Sequence, residues 1–354
     1  MLKKLNYYNY SKLLSYNATY NICVGGRGLG KTYGSKRIVI RDAIKTWNDS
    51  LPDNEQQVDE FIYLRRYKPE MRLAKDTFFA DIEHEFTNWD FRVNGIEAQM
   101  APVDTRTQSN RKWCIIGYFL PLVTSQNYKS VAFPRVKTII FDEFIIERGL
   151  IHYLPNEATI FNNFYSTVDR YKDKTRVFFL ANSVSITNPY FMEWDINPND
   201  SDSNGIVKKA KGFIVCHFPD SKEFNTQAYE TVFGRFIQGS EYAEYAVENQ
   251  FADNHQALID EKTARARYYF TLEGKSGKFS VWYDSTSNEY FCQSKIPKQE
   301  VIFTLDPTKM TEDKILMKWS DRPLSSLRGA FTRGRVSFDK PSVRNTFFEI
   351  FKGQ

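Results

Sequence analysis

The sequence predicts an α/β chain: a mostly parallel sheet covered by helices on both faces, followed by a smaller α+β domain. Three observations carry this. Four apolar runs of strand length, Asn21-Ile-Cys-Val24, Glu60-Phe-Ile-Tyr-Leu-Arg65, Val136-Lys-Thr-Ile-Ile-Phe141 and Arg176-Val-Phe-Phe-Leu-Ala181, are continuous rather than alternating. Strands buried on both faces read this way. Helical stretches separate several of these runs, which is the order of a parallel sheet. Past Glu248 the character changes to short strands joined by hairpin-like loops. The 354 residues are roughly two to three times a usual domain, so a division is expected. We place it at 1–197, a linker region at 198–244, and a second domain at 245–354. The polar run Asn197–Gly205 is the strongest linker candidate.

In chain order, Asn21–Val24 ends in Gly25 and reads as a buried strand. A helix follows from Lys31 to about Trp47, with Ile38, Ile40, Ala43 and Ile44 on its apolar side. Turn formers at 48–54 close it. After the strand Glu60–Arg65 comes a helix over about 71–86, then a segment over 91–111 with the look of a hairpin insertion. Residues 113–120 form a further strand, stopped by Pro121. The strand 136–141 runs straight into Asp142-Glu143, and helix 156–168 separates it from the strand 176–181. In the second domain, strands are expected at 265–272, 279–284 and 289–293, and helices at 312–320 and 342–351.

Hydrophobic residues are 42% and charged residues 26%, a globular composition. Four cysteines (Cys23, Cys114, Cys216, Cys292) lie far apart, with no histidine at ligand spacing. A structural zinc site or a secreted disulfide scaffold is not expected, and a reducing compartment fits. No apolar run reaches the roughly 18 residues of a membrane span, and the first residues lack the apolar core of a signal peptide. The net charge of +5 is a weak signal for nucleic acid. Its distribution says more. From Asp321 onward, seven bases (Arg322, Arg328, Arg333, Arg335, Lys340, Arg344, Lys352) face three acids (Asp321, Asp339, Glu349). That tail reads equally as a DNA-phosphate surface, with Arg328, Arg333 and Arg335 at its centre, or as a solvated face.

The chemistry concentrates at Gly25-Gly26-Arg27-Gly28-Leu29-Gly30-Lys31-Thr32, a full match to G-x-x-x-x-G-K-[ST]. Small residues let successive N–H groups converge on phosphate oxygens at a helix start, where aligned dipoles favour anions. Lys31 then reaches the β/γ-phosphates of ATP, and the Thr32 hydroxyl ligates Mg²⁺. Asp142 ends a central strand, where a Mg²⁺ partner belongs. Glu143, one residue on, is placed to polarise a water as general base. The Asp-Glu order points to the hydrolysing branch of phosphate-loop proteins rather than to small-molecule kinases. Asn182 ends the next strand and is the candidate sensor of the γ-phosphate.

Several bases remain open on residue evidence alone. Arg65, Arg66 and Lys68 follow the second strand and face DNA, a neighbouring nucleotide or solvent. Arg170 is placed to cross an interface as an arginine finger, with Lys172, Lys174 and Arg176 as competitors. Lys129 lies in the polar loop Ser125-Gln-Asn-Tyr-Lys129-Ser130.

The phosphate loop, Phe61-Ile-Tyr-Leu-Arg-Arg-Tyr-Lys-Pro-Glu70, Thr138-Ile-Ile-Phe-Asp-Glu-Phe-Ile145, Tyr153-Leu-Pro-Asn-Glu157 and Asn182-Ser-Val-Ser-Ile-Thr-Asn-Pro-Tyr-Phe191 together resemble the genome-packaging ATPases of small protein-primed podoviruses (Picovirinae). The likeness continues through 235–242, 248–251 and 281–284 and so covers nearly the whole chain. It implies a P-loop NTPase of the additional-strand, catalytic-glutamate (ASCE) type, a connecting region, and a C-terminal RNase H-like domain. It also implies a homo-oligomeric ring, typically a pentamer, on the portal (connector) of a procapsid in the host cytoplasm. That ring pumps double-stranded DNA inward with ATP, and a packaging RNA is a further candidate partner. Carried over, Arg170 matches a finger acting on a neighbouring subunit, and Lys129 a second base acting in trans. Asp169 stands where an apolar residue is expected before the finger.

A nuclease clamps two metals with several carboxylates. The opening strand of the second domain, read as 264–272, carries none, and Asp284 ends the next strand alone. The nuclease-like domain is therefore expected to be inert, in keeping with unit-length packaging, and to guide DNA. Two other readings share the same motifs: a helicase or single-strand translocase, and a nucleotide-gated scaffold.

Overall fold

The computed structural model describes residues 7–48, 51, 56–107, 111–146, 151–183, 187–220, 222–240, 262–274, 277–298 and 301–351. These fall into two compact units. One lies within Met1–Ile145, Thr159–Ser183 and Asn197–Asn249, the other within Ile146–Ala158, Val184–Ile196 and Gln250–Gln354.

The first unit is built on a sheet whose described strands run in the order β3-β4-β5-β2-β6-β7-β1-β9-β8. They are β1 (Tyr20–Gly25), β2 (Glu60–Arg65), β3 (Trp89–Asn94), β4 (Glu97–Pro102), β5 (Cys114–Pro121), β6 (Val136–Asp142), β7 (Arg176–Asn182), β8 (Ile206–Lys209) and β9 (Ile214–His217). From β5 to β9 every neighbouring pair is parallel. Burial explains the continuous apolar runs: β1 and β6 are buried along almost their entire length. Phe141, Phe161 and Phe179 meet within 6.0 Å of one another in the core. Each such ring contributes about 1.5–3 kcal/mol on leaving water.

The hairpin insertion at 91–111 appears as β3 and β4, antiparallel to each other and to β5. Helices α1 (Ser11–Leu14), α2 (Lys31–Lys45), α3 (Lys68–Asp76), α4 (Glu157–Asp169), α5 (Pro189–Glu193), α6 (Lys222–Tyr229) and α7 (Val232–Ile237) follow or precede these strands. The expected helix over 71–86 is shorter and earlier. Glu70 accepts from the Tyr67 N–H at 3.0 Å and starts α3 there, while Phe78 and Phe79 leave the helix to stack into the core.

The domain boundaries differ from expectation. Residues 198–240, read as a linker, carry β8, β9, α6 and α7, and β9 pairs directly with β1. The boundary at 244–245 lies outside the described residues. Residues 151–158 and 187–196 belong to the second unit rather than to the phosphate-loop half. There Glu157, fully buried, accepts from Leu154 N and Tyr190 Oη, both at 2.7 Å. One hydrogen-bonded carboxylate thus joins the Pro-Asn-Glu and Asn-Pro-Tyr-Phe motifs.

The second unit has a sheet in the order β14-β13-β10-β11-β12-β15. Its strands are β10 (Arg267–Glu273), β11 (Lys278–Asp284), β12 (Glu289–Gln293), β13 (Ile302–Thr304), β14 (Lys314–Leu316) and β15 (Val336–Phe338). Strands β10 to β12 form an antiparallel meander, and β13, β14 and β15 pair in parallel. Helices α8 (Arg322–Thr332) and α9 (Pro341–Phe351) pack on it through Leu327, Phe331 and Phe347. The helix expected at 312–320 is β14 and a turn. The helix starts later, with Asp321 as N-cap and Pro323 in the first turn, a start signal that outweighs the apolar spacing upstream.

Candidate active site

The carboxyl ends of β1, β6 and β7 converge on one edge of the first sheet, because the three strands are parallel and adjacent in the order β6-β7-β1. The loop leaving β1 turns through Gly28 at φ +80° and Gly30 at φ +83°. Gly30 is the N-cap of α2, and a Cβ there would lie 2.9 Å from the Tyr7 ring, so only glycine fits. Lys31 is 7% exposed. Its Nζ donates to the carbonyls of Gly25 at 2.8 Å and Gly26 at 2.7 Å, and lies 3.3 Å from Asn182 Oδ1. Burial pushes the ammonium pKa down, with Cys23 and Asp142 opposing.

Across β7, Thr32 Oγ1 donates to Asp142 Oδ2 at 3.0 Å. The same oxygen accepts from Tyr63 Oη at 2.7 Å, and Asp142 Oδ1 accepts from the Glu143 N–H at 3.1 Å. Glu143 departs from the strand in the left-handed region, φ +56°, which re-aims its side chain. Its carboxylate pairs with Arg65 at 2.8 Å. Arg66, read from the sequence as a surface base, is instead buried. It donates to the carbonyls of Phe144 at 2.7 Å and Glu143 at 3.3 Å, holding the turn that carries the glutamate.

A cavity of about 820 Å³ opens beside Leu29 of the loop, lined by Tyr7, Tyr8, His217, Pro219 and Phe224 among others. Tyr8 Oη and His217 Nδ1 share a hydrogen bond of 2.9 Å. Burial, aided by Lys12, pushes the His217 pKa down to about 4, so the ring is neutral near pH 7.

The structure brings Lys31, Thr32, Asp142, Glu143 and Asn182 together. It does not bring Arg170 and Lys129 to them. Arg170 precedes β7 at the end where Arg176 pairs with Thr138, whereas Asn182 ends the strand beside Gly25. The steps from Arg176 to Asn182, at about 3.3 Å each, separate those edges by about 20 Å. Arg170 is exposed, and its Nη2 donates to the Val131 carbonyl at 3.2 Å, two residues from exposed Lys129. The two bases therefore share one surface.

In the second unit, Arg333 is exposed and Arg328 and Arg335 are half-exposed; Arg328 donates to Asn156 Oδ1 at 2.8 Å. Arg344, counted among the tail's bases, is buried. Strand β10 reaches Glu273, one residue past the carboxylate-free segment read from the sequence, and Glu273 pairs with Lys314 at 2.9 Å. Among the described residues, no three His, Cys, Asp or Glu side chains gather as a metal-binding group. No helix of these residues is long and apolar enough to cross a membrane.

Sequence reasoning missed Tyr63 as a partner of Asp142, the Arg65–Glu143 pair, and the cavity aromatics. Their positions depend on which strands become neighbours, and single-chain spacing does not carry that.

A phosphate loop after the first strand, an acidic pair at the carboxyl end of β6, and an additional strand between them define a P-loop NTPase of the ASCE class. The chain belongs to the Podovirus DNA encapsidation protein (Gp16) family, which matches residues 1–354. It is 32% identical over 347 residues to a DNA packaging protein of Bacillus phage B103, covering 96% of this chain and 98% of that one. A DNA packaging protein of Bacillus phage phi29 is 31% identical, with 99% and 98% covered. The solved phi29 genome packaging motor assembly matches with a TM-score of 0.59, 30% identity, and 98% of each chain covered.

Proposed function

We propose that this chain is the ATP-hydrolysing subunit of a ring-shaped motor that drives double-stranded DNA into a viral procapsid. The observation that carries the reading is the Thr32–Asp142 hydrogen bond at 3.0 Å with Glu143 next in the chain. Phosphates of ATP would lie along the loop N–H groups at the start of α2. Lys31 would exchange its carbonyl partners for β/γ-phosphate oxygens. The hydroxyl of Thr32 and the carboxylate of Asp142 are hard oxygen donors of the kind Mg²⁺ takes, so the pair fits that ion. When bound, it supplies positive charge against the phosphate oxygens. Glu143 orients the attacking water and takes its proton, and Asn182, beside Lys31, reads the γ-phosphate. The cavity next to Leu29 suits the nucleoside, with Tyr7 and Phe224 for apolar contact and the neutral His217 for polar contact.

Arg170 and Lys129, on the far edge of the sheet, act on a neighbouring subunit's nucleotide. The likeness to the phi29 genome packaging motor assembly supports action within an assembled motor. In this reading the chain forms a homo-oligomeric ring, a pentamer, seated on the portal of the procapsid in the host cytoplasm. A packaging RNA is a further partner in this reading. In the second unit, the β10–β12 meander with β13 parallel beside β10 supports an RNase H-like shape. Its carboxylates have structural partners: Asp284 accepts from Thr263 Oγ1 at 2.6 Å and Thr286 N at 2.8 Å. We read this unit as a non-cutting DNA guide that uses Arg328, Arg333 and Arg335 on phosphates. The test is ATP turnover of the purified chain with and without double-stranded DNA and portal-bearing procapsids. Stimulation only when both are present is expected; turnover indifferent to both, or unwinding of strands without procapsid, would overturn the reading.

A further inference from the structure

We infer that Asp169 is a positioning residue for Arg170, its carboxylate building the loop that presents the finger to a neighbouring copy. The inference rests on the reading of Arg170 as acting in trans.

Asp169 is the last residue of α4 and is 2% exposed. Its two oxygens accept four consecutive backbone N–H groups: Lys172 at 2.9 Å and Asp173 at 3.0 Å on Oδ2, Lys174 at 2.9 Å and Thr175 at 3.0 Å on Oδ1. Burial alone would raise its pKa, and the four donors outweigh burial and hold the carboxyl below its ordinary value. The loop it gathers is strained. Arg170, Tyr171 and Asp173, none of them glycine, sit at φ +53°, +55° and +50°. Such conformations cost on the order of 1–3 kcal/mol each and persist only where surroundings over-determine them. Here the buried carboxylate collects all four of these N–H groups, while Lys174 Nζ on the Phe133 and Pro134 carbonyls and Thr175 Oγ1 on the Val136 carbonyl anchor the far end of the loop.

The geometry has a direct consequence for Arg170. Its backbone turns sharply out of the helix, its side chain stands exposed, and its guanidinium is steadied by the Val131 carbonyl. An apolar residue at 169 would fill the same buried space and accept none of the four N–H groups. This chain thus fixes the finger through a hydrogen-bonded nest rather than through packing. A pre-oriented finger loses less freedom when it meets developing phosphate charge, and that gain appears in turnover rather than in nucleotide binding.

The test uses full-length protein in assembled rings. Asp169→Asn keeps size but turns one acceptor into a donor facing N–H groups. Turnover should fall about tenfold or more, as for Arg170→Ala, with nucleotide affinity unchanged. Asp169→Asn added to Arg170→Ala should lower turnover no further. Mixed with Lys31→Ala subunits, the Asp169→Asn subunits should regain activity, because the partner supplies an intact finger. Parent-like turnover of Asp169→Asn overturns the proposal, and so does failure of that mixture where Arg170→Ala with Lys31→Ala is rescued. No rescue in the Arg170→Ala mixture instead removes the finger reading itself. Hydrogen exchange on the parent chain needs no variant. The amides of residues 172–175 should be protected, and fast exchange there overturns the nest.

Discussion

Arg65 and Glu143 face each other at 2.8 Å from the ends of neighbouring strands β2 and β6, pairing the candidate base with a cation. Arg65 is 15% exposed and Glu143 60%. The pair holds the carboxylate while Arg66 holds the turn beneath it. Glu143→Gln keeps shape and removes the base, so turnover should fall about 10²-fold or more with nucleotide still bound. Near-parent hydrolysis would sink the assignment.

Arg65→Gln releases the glutamate. A half-exposed pair is worth at most about 1 kcal/mol, so turnover without DNA should rise by no more than about fivefold. A fall in that rate would mean that Arg65 belongs to the chemistry instead.

Tyr63→Phe removes a buried hydroxyl from Asp142 Oδ2 and leaves the strand packing in place. Partners of this kind typically carry 10–100-fold in metal affinity. The Mg²⁺ concentration for half-maximal turnover should rise about tenfold. An unchanged Mg²⁺ dependence would make the hydroxyl a passive neighbour.

His217 has a folded pKa of about 4 against about 6.5 when unfolded. Between those values the unfolded chain binds the extra proton, so this group makes stability rise with pH from about 4 to 6.5 and level off above. Lys12 and Asp202 face the same ring with opposite effects. His217→Gln should flatten that part of the pH–stability curve relative to the parent. Parallel curves for the two proteins would show that the ring is not buried neutral.

Arg328, Arg333 and Arg335 replaced together should weaken all DNA sequences alike in the full chain. Every arginine–phosphate pairing removed lowers the slope of log affinity against log salt by about one unit. ATP affinity should not move. An unchanged salt slope removes this surface from the DNA path.

That the phosphate loop, the Asp142-Glu143 pair and Asn182 lie together was legible because their placement depends on local spacing and on where each strand ends. The strands beneath them were legible because burial on both faces leaves an unbroken apolar run. Tertiary structure alone decided the rest. Tyr63 reaches Asp142 only because β2 pairs with β6, 79 positions apart in the chain. The supposed linker became part of the first sheet because β9 found β1, a pairing between segments nearly two hundred residues apart. Arg66 and Arg344 read as surface bases because charge predicts solvent, yet both are buried, and Arg66 is buried with its guanidinium on two backbone carbonyls. Asp169 shows the same limit at one residue. Its identity is plain in the sequence, but its four acceptor bonds exist only once the loop after α4 folds back over it.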